Sequence, residues 1–238
     1  MSTFVLVHGA WVGGWYYKRV ALQLIKAGHM VYTPTLTGLG ERSHLASRAI
    51  NLDTHVQDII NVIRWEELTD IVLCGHSYGG MVISSVADQV PEKVRALVYL
   101  DAFVPNNGQS LLDMLPAEMG AGFADDVRTN GEGYLVTPIP AEMLVNERDV
   151  TWFSRMCVKH PVACFEQKIS LTGALNRVLG RTYVAAVGPK PPPRPAFVAI
   201  ADRLREDHSW EVVDLPCGHS VMLDMPTETA ELLIAASG

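Results

Sequence analysis

Charge is sparse in this chain. Asp, Glu, Lys and Arg make up 19% of 238 residues, against 48% hydrophobic residues. No basic block occurs, and 19 Lys plus Arg against 26 Asp plus Glu give a formal net charge of −7. An acidic chain without a cationic run argues against nucleic acid and anionic membranes as partners. Long apolar runs are lacking too: mean hydropathy is +0.15, yet every apolar stretch is broken within about ten residues, short of the roughly 20 that cross a bilayer. The start, Thr3-Phe4-Val5-Leu6-Val7, has neither the basic region nor the small-residue cleavage site of a signal peptide. The four cysteines, Cys74, Cys157, Cys164 and Cys217, show no paired spacing. They read as reduced thiols of a cytoplasmic protein, not a disulfide framework. Cys157-Val158-Lys159-His160 and Cys217-Gly218-His219 lack a second ligand pair at zinc spacing, so no metal is expected.

What is present is apolar and ordered. The composition excludes disorder, and the length suits one large domain. The surplus apolar content must fill a core, buried strands or an apolar pocket. Short β-rich runs are predicted at 3–8, 29–33, 70–74, 95–100, 182–187 and 210–215. Helical periodicity lies between them, at 15–27, 54–63, 79–90, 196–205 and 226–236. Thr54 with Gln57 reads as a capping box opening the second helix, and Gly28 as the stop of the first. Strands alternating with helices predict an α/β fold with a parallel sheet of about six strands, covered on both faces. Residues 105–178 break the rhythm with five prolines and scattered Met and aromatic residues, and are read as an insertion within a single domain spanning 1–238. Residues 188–195, rich in proline, are expected to form a stiff polyproline-like loop.

Gly75-His76-Ser77-Tyr78-Gly79 is the sharpest motif. A Gly-x-Ser-x-Gly turn between a buried strand and a helix exposes a nucleophilic serine, and side chains at Gly75 and Gly79 would collide with neighbours. An attacking serine needs a base, and the oxyanion that develops needs donors. Ala10, after the first strand, and Tyr78, at the start of the nucleophile helix, are placed to give backbone N–H groups. Of eight histidines, His219 follows the last strand and lies at the carboxyl edge where open α/β sheets bind ligands. His76 is expected to point away from Ser77, and His8 and His29 to be packing residues. His44, His55 and His208 fall in polar surroundings, and His160 in the insertion. Thr37-Gly38-Leu39-Gly40-Glu41-Arg42-Ser43 lacks a P-loop ending and is read as a loop near the site.

Val7-His8-Gly9-Ala10-Trp11, Gly75–Gly80, Leu100-Asp101-Ala102-Phe103-Val104-Pro105 and Gly218-His219 together resemble the α/β-hydrolase superfamily. The resemblance is to the branch of plant methylesterases, hydroxynitrile lyases and small bacterial pyrethroid and carbamate hydrolases. The nearest are the compact members that cleave carbendazim-type methyl carbamates. It covers nearly the whole chain and implies a sheet without the leading antiparallel hairpin, a lid at about 105–178, and a cofactor-free and metal-free Ser–His–acid mechanism.

Two departures matter. Where the family usually places its acid, this chain reads Gly188-Pro189-Lys190-Pro191-Pro192-Pro193-Arg194, with no carboxylate. Asp101 is the preferred substitute and Asp202 the alternative, with Asp214 on the wrong side of the turn. Hydroxynitrile lyases of the branch carry Thr where this chain has Gly9 and Lys where it has Ser220, so hydrolysis is favoured over C–C cleavage. A non-catalytic ligand sensor stays open. Trp11, Phe103, Trp152, Phe153 and Met222 are candidates for an apolar substrate pocket. The expected partner is a small ester or carbamate, and a homodimer is left open.

Overall fold

A computed structural model describes residues 1–189 and 194–238. The centre of the polyproline-like run, residues 190–193, lies outside them. The first hundred residues alternate regularly: β1 (Thr3–Val7), α1 (Lys18–Lys26), β2 (Met30–Tyr32), α2 (Leu52–Trp65), β3 (Ile71–His76), α3 (Gly79–Gln89) and β4 (Val94–Leu100). The insertion carries α4 (Ala117–Thr129), β5 (Leu135–Val136), α5 (Glu147–Met156), β6 (His160–Pro161) and α6 (Ala163–Glu166). The chain then forms β7 (Gly180–Ala186), α7 (Pro195–Arg205), β8 (Glu211–Leu215), α8 (Val221–Asp224) and α9 (Pro226–Ala236).

Six strands make the main sheet in the order β2-β1-β3-β4-β7-β8. Every neighbouring pair is parallel, and no antiparallel hairpin precedes β1 among the described residues. Such a sheet must be covered on both faces, which is why β3 is buried along its whole length and α3 from Gly79 to Asp88. That burial takes up much of the surplus apolar content. The chain leaves β1 towards β2 and returns to β3 on the other side, so the strand order switches between β1 and β3. Register sets Val7 opposite Gly75 and His76 opposite Leu100, bringing the residues after three strands to one rim. A ligand crevice forms at such a switch point.

Local signals explain the elements and one displacement. Gly28, at φ +87°, ends α1 as expected. The box opening α2 sits three residues earlier than the sequence reading placed it. The Asn51 side chain accepts the Thr54 N–H at 3.1 Å, and the Asn51 N–H donates back to Thr54 Oγ1 at 3.4 Å. Thr54 is thus the inner partner of the box, because Asn51 offers the better acceptor. The insertion is docked by an ion pair. Arg19 of α1 grips the buried Asp149 of α5 with both terminal nitrogens, at 2.6 and 3.0 Å, and donates to the Leu223 carbonyl at 2.7 Å. No helix among the described residues is long and apolar enough to cross a membrane.

Candidate active site

Ser77 stands at φ +52° between β3 and α3, a left-handed angle that a non-glycine residue keeps only when its surroundings impose it. They do so here. A Cβ at Gly75 would lie 2.7 Å from the Gly79 carbonyl oxygen, and one at Gly79 2.6 Å from that of Val7, so strand and helix meet too closely for side chains. The turn is pinned by the Phe103 N–H, which donates to the Ser77 carbonyl at 3.1 Å.

Behind Ser77, the His219 Nδ1–H donates to Asp101 Oδ2 at 2.7 Å, with both side chains buried. Asp101 directly follows β4 at φ +42°, and its other oxygen accepts the Ala186 N–H at 3.3 Å. The two competing carboxylates are elsewhere: Asp202 and Asp214 are exposed and both bind Arg205. Burial keeps His219 neutral, well below the usual histidine range, and the Arg194 guanidinium acts the same way. Burial pushes Asp101 up to about 7, against the opposing pull of the Ala186 N–H, the His76 ring and the Arg194 guanidinium. A neutral imidazole held in one tautomer by a carboxylate can accept a proton at its free nitrogen.

His76 does not simply turn away. Its Nε2–H donates to the His219 carbonyl at 2.9 Å, and the two rings lie 4.5 Å apart. It therefore holds the backbone of His219. Phe197 also stacks on the His219 ring, at 4.8 Å and 14°.

Ala10 and Tyr78 border the same cavity as Ser77, and neither N–H donates to another group among the described residues. Tyr78 adjoins the N-terminus of α3, where the helix dipole favours negative charge. His8 is a satisfied buried residue, as expected, but not an idle one. Its Nδ1–H donates to the Gly9 carbonyl at 2.8 Å and its Nε2 accepts the Leu36 N–H at 3.1 Å. The Gly9 carbonyl shares a peptide plane with the Ala10 N–H, so His8 orients that donor.

The cavity measures about 290 Å³ and is mostly apolar. Trp11 and Phe103 line it. Trp152, Phe153 and Met222 do not, which corrects the sequence reading. Trp152 packs on Trp15 and Phe153 on Tyr16, docking α5 against the turn before α1. Met222 is fully buried in the core. The missed wall is Leu115, Met119 and Phe123, with Phe165 and Phe197 and one cation, Arg194. Met119 and Phe123 lie one turn apart on α4 and Leu115 continues their four-residue spacing just before the helix, a pattern visible in the sequence. None of residues 37–43 lines the cavity, but the loop lies nearby: Thr37 binds Asp58 of α2, and its carbonyl accepts from His55, which bonds the Tyr78 hydroxyl.

His55, His160 and Cys164 form a buried cluster close enough to hold an ion. Both nitrogens of its His55 are already committed, whereas His160 Nε2 is buried without a partner among the described residues. The His55 Nε2–H donates to the Thr37 carbonyl at 2.9 Å, and Nδ1 accepts the Tyr78 hydroxyl at 2.8 Å. Burial pushes the Cys164 thiol up to about 12, and its S–H is directed at the Ile50 carbonyl at 3.8 Å. Sequence reasoning placed His55 in polar surroundings; it is fully buried because α2 turns it inward against Tyr78.

Comparison with known proteins agrees with this geometry. The profile of the alpha/beta hydrolase family matches residues 4–232. A carbendazim hydrolyzing esterase from Nocardioides sp. (strain SG-4G) is 46% identical, with 99% of each chain covered. An extracellular alpha/beta-hydrolase from a Paenibacillus species superposes with a TM-score of 0.86 at 25% identity, covering 99% of both chains. A pyrethroid hydrolase from Sphingobium faniae JZ-2 shares the fold, with a TM-score of 0.78 at 22% identity over 99% of this chain and 97% of its own. With sheet order, serine elbow and sequence profile in agreement, the chain belongs to the alpha/beta hydrolase family.

Proposed function

We propose that this protein is a serine hydrolase acting on small apolar or aromatic carboxylic esters or methyl carbamates of the carbendazim type. The observation that carries the reading is the buried His219–Asp101 bond of 2.7 Å behind a serine elbow that opens into an apolar cavity. The 46% identity to a carbendazim hydrolyzing esterase supports the substrate class. In this reading His219 takes the Ser77 proton as Oγ attacks the carbonyl carbon. The Ala10 and Tyr78 N–H groups hold the oxyanion, and the proton passes from His219 to the departing alcohol as its C–O bond breaks. Water, activated by the same imidazole, then releases the acyl or carbamoyl group. The 105–178 insertion serves as a lid over the substrate. The four free thiols support a cytoplasmic location.

Lyase chemistry is disfavoured on geometric grounds. A Cβ at Gly9 would lie 2.8 Å from His76 Nδ1 and 3.0 Å from Ser77 Cβ, so a threonine there would displace both. Ser220 is buried against the Tyr16 hydroxyl and the Leu144 carbonyl, away from the cavity. The test is a panel of p-nitrophenyl acetate, methyl benzimidazol-2-ylcarbamate and mandelonitrile, with Ser77→Ala alongside. We expect a burst of p-nitrophenol and carbamate turnover, both reduced by about 10⁴-fold or more in Ser77→Ala, and no cyanide release. Ligand binding without turnover would instead identify a sensor.

A further inference from the structure

Three hydrogen bonds tie the insertion to Trp11. The Trp11 N–H donates to His160 Nδ1 at 3.3 Å, and its indole Nε1–H to the Val136 carbonyl at 3.2 Å. The Trp11 carbonyl accepts the Val158 N–H at 2.9 Å. Trp11 sits at φ +66°, an angle a bulky residue keeps only under constraint. It directly follows Ala10. The peptide before Ala10 is held by His8, through the Gly9 carbonyl. The peptide after Ala10 is the one whose N–H is held by His160.

We propose that His160, carried by the insertion, is a positioning residue whose Nδ1 fixes the Ala10–Trp11 peptide and so aims the Ala10 N–H at the developing oxyanion. This rests on the esterase reading above. Because Nδ1 accepts, the ring proton is on Nε2, which is buried and has no partner among the described residues. Packing alone does not call for such a group. The ring stacks on Phe165 at 4.5 Å and 28°, a contact that phenylalanine would make without an orphaned donor. What phenylalanine lacks is the acceptor.

Three variants separate aim from packing. His160→Asn sets an amide oxygen close to the place of Nδ1 but loses the stacked ring. His160→Phe keeps the ring and loses the acceptor. His160→Gln carries an acceptor at the position of Nε2, the wrong one. With p-nitrophenyl acetate we expect kcat to fall about ten- to hundredfold in the Phe and Gln variants with KM within about threefold, and to stay within about fivefold of wild type in Asn. Inhibition by phenylboronic acid, which mimics the tetrahedral adduct, should weaken in step with kcat. The Asn variant should be the more active despite melting below the Phe variant. Activity that instead follows melting temperature across the three, or an unchanged kcat in Phe, overturns the positioning role. Should Phe not fold, the Asn–Gln pair decides. A wild-type protein that turns over no ester overturns the esterase reading itself, and this role with it.

Discussion

The rim of the parallel sheet and the insertion face each other across one cavity, and they hold their residues in different ways. At the rim, Ser77 and Asp101 sit at φ +52° and +42°, each tied to the neighbouring strands through the backbone. The insertion instead presents side chains from α4 and the segments around it: Leu115, Met119, Phe123 and Phe165. Backbone-level constraint fixes direction, which proton transfer and oxyanion binding need. An apolar wall gives affinity and shape but little direction. On the proposed esterase reading, this difference would give chemistry to the rim and substrate selection to the insertion, with Trp11 of the rim hydrogen-bonded to the insertion.

The hardest test of that division is the acid. Asp101→Asn keeps the shape of the rim but favours the wrong imidazole tautomer, so kcat should fall by about 10⁴-fold with the protein still folded. Asp202→Asn, on the exposed face of α7, should leave turnover within about twofold. Stopped assays on both variants, with circular dichroism as a check on folding, decide it. Equal losses, or a loss only in Asp202→Asn, would break the assignment of chemistry to the rim.

Protons give a second, smaller contrast. Burial holds five histidines below their ordinary range: His8 and His55 at about 4, and His76, His160 and His219 well below 6.5. The unfolded chain therefore binds more protons than the native one between pH 6.5 and about 4, and stability falls on acidification through that window. Asp101, raised to about 7, has the opposite sign and offsets one of them. Each net proton contributes a slope of about 1.4 kcal/mol per pH unit. Urea midpoints measured from pH 7 down to 4.5 should drop steeply, and His55→Gln should reduce the slope by one proton. A flat profile would mean that these rings already carry protons in the folded state.

The same contrast explains what the sequence made legible. The serine elbow is a local pattern, and His219 follows from its place after the last strand. Both depend on neighbours within a few residues and on strand order, as does the parallel sheet. His76 and His160 act on backbone groups 143 and 149 residues away, and no periodicity announces such contacts. Trp152 and Phe153 have the composition of a pocket wall, but Arg19–Asp149 turns α5 so that they dock on Trp15 and Tyr16. Asp101 lies between these cases. The missing carboxylate after β7 was readable; the reach of Asp101 to His219 needed the register of β4 beside β7.

Glycine gives the finest comparison. At the rim, alanine at Gly79 would set a methyl 2.6 Å from the Val7 carbonyl oxygen, a contact with backbone that cannot yield without separating α3 from β1. In α4 of the insertion, a Cβ at Gly122 would meet nothing within 4 Å. Gly122 is exposed and mid-helix, so alanine there removes backbone freedom from the unfolded chain at no steric cost. Gly122→Ala should raise stability by about 0.5–1 kcal/mol. Urea denaturation would read this as a higher midpoint with an unchanged m value, and kcat and KM should not move. If kcat falls instead, α4 must flex during turnover, and the insertion would then contribute motion to the chemistry as well as a wall to the cavity.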